Sequence, residues 1–241
     1  MTTGLTYNQY VTELANLAIV DPADANFVTN LPQCITYAEN RIYRDLDLLS
    51  TVTAASGFSC ATGSRQITWP LSQFVTVQEI NVITPAGTAD PNAGTRVSLW
   101  PVTKFWLDMI YPTATTTGVP GYMAMLNQNT ALIGPWPDQN YAVEIVGTVR
   151  PDSLSSSNSS TFISLYLPDL FLMASMVFIS GYQRDFALGA SQPNDPQMPI
   201  NYESQYQTLL KSAMVEEARK KFEAGGWTSM SPAVAATPSR G

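Results

Sequence analysis

The sequence predicts an α+β protein: a helical bundle built from both chain ends, an inserted antiparallel β domain, and an extended C-terminal tail. Three observations predict it. Residues 1–50 and 165–225 carry apolar side chains at helical spacing, residues 51–164 are rich in Thr, Val, Pro and Gly, and residues 226–241 show no periodicity.

Residues 5 to 20 form the first expected helix, with Tyr7, Tyr10, Leu14, Leu17 and Ala18 on one side, ended by Asp21-Pro22. A second helix is expected over residues 24–49. Phe27, Leu31, Ile35, Ala38, Ile42, Leu46 and Leu49 recur every three or four positions, with Pro32 as a point of kinking or restart, and Glu39, Arg41, Arg44 and Asp45 off the stripe. Short strands are expected near 52–56, 65–69, 76–84 and 96–99, followed by a helix carrying Phe105, Trp106, Met109 and Ile110. Segments 122–126, 130–134 and 141–149 read as a three-stranded meander, with turns at Asn127-Gln128-Asn129 and Trp136-Pro137-Asp138-Gln139. Ser153 to Ser160 reads as an exposed loop.

Pro168 and Asp169 suit the first turn of the next helix. Its run from Leu170 to Tyr182 is apolar on every face, which predicts a central position in a bundle. The last helix, about 200–224, carries Tyr202, Tyr206, Leu209, Leu210 and Ala213, and Gly225-Gly226 stops it.

Composition narrows the function. Charged residues make up 13% of the chain, about half the usual share. Either Ser, Thr, Asn and Gln solvate the surface, or much of the surface meets other protein. The net charge of −7 argues against a phosphate-gripping groove. Residues 1–11 lack the basic start and apolar core of a signal peptide, and the run 170–182 is too short to span a membrane, so a soluble, unprocessed chain is expected. Cys34 and Cys60 are expected as free structural thiols.

The sequence contains no histidine, which removes the usual triads and most catalytic zinc sites. No phosphate-binding GxxxxGK[ST] loop and no GxSxG elbow occurs. Paired carboxylate chemistry needs only Asp and Glu, and Glu79, Asp90, Asp108, Asp138 and Glu144 lie in the β region without a pairing signature. No catalytic, cofactor or metal residue is therefore assigned. Trp69, Trp100, Trp106 and Trp136 read as core or interface, and Trp227 as an anchor into a neighbouring chain. Arg41, Arg44, Arg219, Lys220 and Lys221 read as solvated helix faces.

The order of elements resembles the adaptor, or connector, proteins of tailed phages. Ala38-Glu39-Asn40-Arg41-Ile42-Tyr43-Arg44-Asp45-Leu46 is similar to that family's AExRIxRDL pattern. Gly118-Val119-Pro120-Gly121-Tyr122 with Leu132-Ile133-Gly134-Pro135-Trp136-Pro137-Asp138 is similar to its GxPxxY…LxLxPxPD hairpin. Leu167-Pro168-Asp169-Leu170 and Tyr182-Gln183-Arg184-Asp185 are similar to its penultimate helix, and the longer Ser/Thr-rich β region departs from it. The resemblance implies a non-catalytic virion subunit of a ring, usually of twelve copies, assembled in the host cytoplasm. The portal protein would lie on one side and a tail or nozzle protein on the other, with DNA passing through without sequence-specific binding. Portal or neighbour contacts are then expected from Trp227, Met230, Arg240, Arg41, Arg44, Arg219, Lys220 and Lys221, and tail-side contacts from Trp100, Trp106 and Trp136. A tail tube or nozzle subunit and a carbohydrate-binding surface module are the alternatives.

Overall fold

A computed structural model of the chain describes residues 4–88, 90–183 and 198–224. The helices are α1 (Tyr7–Ala18), α2 (Ala25–Asp45), α3 (Lys104–Ile110), α4 (Phe162–Tyr166), α5 (Pro168–Gln183) and α6 (Met198–Ala224). The strands are β1 (Val52–Cys60), β2 (Gln66–Thr68), β3 (Thr76–Thr84), β4 (Thr95–Ser98), β5 (Trp100–Pro101), β6 (Thr117–Gly118), β7 (Tyr122–Asn127), β8 (Thr130–Gly134), β9 (Trp136–Pro137) and β10 (Tyr141–Thr148). The chain divides into two compact units, one of residues 1–50 and 151–241 and one of residues 51–150.

In the helical unit, local chemistry sets each start. The Gln9 side chain accepts from the Thr6 N–H at 3.0 Å, and Asp24 accepts from the N–H groups of Asn26 and Phe27. Helix α2 runs through Pro32 without ending there, and its stripe of Phe27, Leu31, Ile35, Ala38 and Ile42 is buried. Helix α5 packs against α1, α2, α4 and α6, as its all-round apolar sequence requires. Tyr10 stacks on Phe171 at 4.4 Å, and its hydroxyl donates to the Phe171 carbonyl at 2.9 Å.

Residues 151–164 pack with these helices. Leu154 is buried in the helical core, and the N–H groups of Leu5 and Tyr7 donate to the carbonyls of Ser164 and Ser159. The helix α4 in this stretch has no counterpart in the sequence reading, because one short turn carries too few positions for a period to show.

The second unit has two four-stranded sheets, ordered β1-β10-β3-β4 and β2-β8-β7-β5, and a short β6-β9 pair. The long ladders are antiparallel, while β5 with β7 and β6 with β9 pair in parallel. The two sheets share one core, with Ile80, Val82, Val143 and Ile145 meeting Ile67, Trp69, Met123 and Ile133. The expected meander is corrected here. Strands β7 and β8 form the hairpin, but β10 lies in the other sheet, between β1 and β3. Trp136-Pro137 pairs with Thr117-Gly118 instead of turning back, so the chain after β8 leaves its sheet.

Candidate docking surfaces

In the β unit, α3 and the strand before it expose large apolar side chains, as do Leu71, Val75, Val119, Met125 and Leu126 elsewhere in the unit. Thr103 caps α3 by accepting from the Trp106 N–H at 3.2 Å. Leu107 then turns inward to pack with Ala124 and Leu132. Helical spacing sends Phe105 and Met109 the other way: Phe105 is 78% exposed and Met109 59%. Trp100, at the start of β5, is 73% exposed, and Ile110 is exposed as well.

The remaining tryptophans take different places. Trp69 is core. Trp106 is half-buried, 4.9 Å from the Tyr122 ring and 6.5 Å from Tyr111. Trp136 is half-buried beneath the Arg65 guanidinium at 5.9 Å. Thus only Trp100 of the three tail-side candidates presents most of its surface. Phe105 and Met109 escaped site assignment because periodicity identifies an apolar helix without showing which side stays uncovered.

Several charges of the β unit pair with one another. Asp108 bridges Arg65 at 2.7 Å and Lys104 at 2.5 Å, and those hydrogen bonds, Lys104's first, hold its carboxyl below the ordinary range. Arg96 forks onto Glu144 at 2.7 and 3.0 Å. Tyr141 donates to Asp138 at 2.6 Å, and burial followed by that carboxylate pushes its phenol up to about 12.

In the helical unit the expected basic residues separate into two groups. Arg41 reaches from α2 to Glu203 on α6 at 2.8 and 2.5 Å and lies 4.1 Å over the Tyr206 ring. Tyr206 in turn donates to Asp45 at 2.7 Å. Lys220 pairs with Glu216 and Glu217, and Lys221 with Asp47. Arg41 and Lys221 thus join separate elements inside the unit, while the ion pairs of Lys220 stay within α6. Arg44 and Arg219 are exposed. Trp227, Met230 and Arg240, with the expected tail 226–241, lie outside the described residues.

Exposed apolar groups also occur at the α1–α2 turn. Ile19 is 88% exposed and holds φ 54, a conformation a β-branched residue adopts only at a cost. Val28 is exposed as well, and a largely apolar cleft is lined by Val20, Phe27, Leu31, Cys34 and Ile179 with Asp24, Asn26 and Asn30. Cys34 and Cys60 are free and buried. Among the described residues, no helix is long and apolar enough to cross a membrane, and no cluster of Cys, Asp and Glu is arranged to hold a metal ion.

No curated protein matches the chain. The family model described as SU10 adaptor protein matches residues 5–233, nearly the whole sequence, covering all of the β unit and most of the helical one. The chain belongs to the SU10 adaptor protein family, a family of phage head-to-tail adaptors.

Proposed function

We propose that this chain is the repeating structural subunit of an adaptor ring, usually of twelve copies, that docks beneath the portal and bridges it to a tail or nozzle protein. The carrying observation is the exposure of Trp100, Phe105 and Met109, taken together in this reading as one apolar ridge, on a unit several of whose charges pair with one another. A monomer gains nothing by solvating such a ridge, whereas an assembly buries it. In this reading the helices form one bundle from both chain ends that fills a groove between portal subunits. Trp227, Met230 and Arg240, in residues 226–241, supply further contacts to the portal or a neighbouring copy. Many modest contacts closed into a ring then hold strongly. The acidic balance of −7 per copy keeps DNA from adhering as it passes through the ring.

Mass measurement of the complex formed with the portal ring from the same genome tests this. The expected result is one discrete species with about one adaptor per portal subunit, lost when residues 227–241 are deleted. A portal ring whose mass does not change moves the chain to the tail tube or nozzle.

A further inference from the structure

The sheet ordered β1-β10-β3-β4 has two edges, and no strand of the described residues lies beyond either. Monomeric proteins guard such edges with charge, proline, bulges or a covering element, because an open row of N–H and C=O groups recruits other chains. Strand β1 is a nine-residue edge without a charge or a proline. Its uncharged surroundings run from residue 48 to residue 64. A bulge between Ala55 and Phe58, with Gly57 at φ 99, leaves Val52–Ala55 as a regular four-residue segment. At the opposite edge, β4 is also four residues long, Thr95–Ser98. Its single charge, Arg96, does not guard the edge. The side chain folds back over the sheet to Glu144 on β10, two strands inward.

We propose that these two edges are one seam: β4 of each copy pairs with the Val52–Ala55 half of β1 in the next, so that the sheet continues around the ring. The inference rests on the ring reading above. Strand sense fits this occupant. The four strands are antiparallel throughout, so β1 and β4 run in opposite directions. Copies related by rotation about a ring axis keep that sense, and β4 of one copy therefore meets β1 of the next antiparallel. An odd number of strands would have brought the two together in parallel. The interface is head-to-tail, using two different edges of one molecule, as a closed ring requires. Main-chain hydrogen bonds supply the register, as in other strand additions. Trp100, two residues beyond β4, is carried to the rim of the seam.

Ala54 and Ser98 are exposed and lie on the same face of the sheet, which suits them to report the seam. The full-length chain carrying Ala54→Cys and Ser98→Cys together is assembled with its portal, treated with a short bismaleimide and run under denaturing conditions. A ladder of covalent oligomers is expected from the double variant and from neither single variant. The unmodified chain, with its buried Cys34 and Cys60, gives the background. Hydrogen exchange on unmodified rings adds a readout independent of register: amides within both 52–55 and 95–98 slow on assembly. A dimer from Ala54→Cys alone would mean two-fold β1–β1 pairing and overturn the seam. Rings that form with no ladder and no added protection also overturn it while leaving the adaptor reading intact. A chain that assembles neither alone nor on the portal removes both.

Discussion

Glu39 shows how one buried carboxyl ties a distant loop to a helix. It is 1% exposed, and its Oε1 accepts from the Leu154 N–H at 3.1 Å, while Oε2 has no partner among the described residues. Burial pushes its carboxyl above the ordinary value, against the Leu154 N–H and Ser153, which favour the charged form. The native state therefore holds the proton more tightly than the unfolded chain. Stability falls as pH rises from about 4.3, the unfolded carboxylate value, to the raised folded value, and the full penalty persists above it. Glu39→Gln keeps an acceptor for Leu154 and removes the titration. Thermal melts across that window should show the variant losing less stability with rising pH than the parent, and matching or exceeding it at neutral pH. Glu39→Ala leaves the buried N–H without its acceptor and should cost about 1–3 kcal/mol. Parallel melting curves for the parent and the Gln variant would assign the pH response to another group.

Helix α3 separates a buried face from an exposed apolar one within seven residues. Leu107 is fully buried, and Leu107→Ala should cost about 2–5 kcal/mol in denaturant unfolding. Trp100→Ala and Phe105→Ala remove exposed surface and should change stability by no more than about 0.5 kcal/mol. If the ridge is a docking surface, the same two changes weaken assembly by about 2 kcal/mol, roughly thirtyfold in dissociation constant. Unchanged assembly would return the ridge to plain surface. Such a split is only half legible in sequence. The α2 stripe could be read because it repeats a period over many residues, and α5 because its apolar run is long and unbroken by charge. Glu39 read as off the stripe, yet it is covered, because Leu154 lies 115 positions away and no local window contains it. The sheet assignment of β10 failed for the same reason. Turn residues say where a strand ends, but only long-range packing decides which sheet it joins.

At the scale of the whole chain, the β unit enters and leaves at one place. The Val149 N–H donates to the Thr51 carbonyl at 2.9 Å, and Val52 lies opposite Thr148 on the neighbouring strand. Each unit holds its own buried cluster, Tyr10, Ile35, Ile42 and Phe171 in one and Ile80, Val143, Ile145 and Ile133 in the other. An insertion with adjacent ends closes like a single loop, and loop closure grows only slowly with the length enclosed. Residues 51–150 alone should therefore fold cooperatively with a β-type circular dichroism spectrum. The complementary chain, with residues 51–150 replaced by a short Gly/Ser linker, should keep its helical spectrum and a single unfolding transition. The two pieces also divide the proposed activities. The helical piece, with its C-terminal residues, should still bind the portal, whereas the strand seam and the Trp100 ridge are lost with the β unit. Portal rings decorated by separate, uncross-linked helical pieces would assign docking to one unit and ring closure to the other. A helical piece that folds and fails to bind would place portal recognition in the β unit and reverse that division.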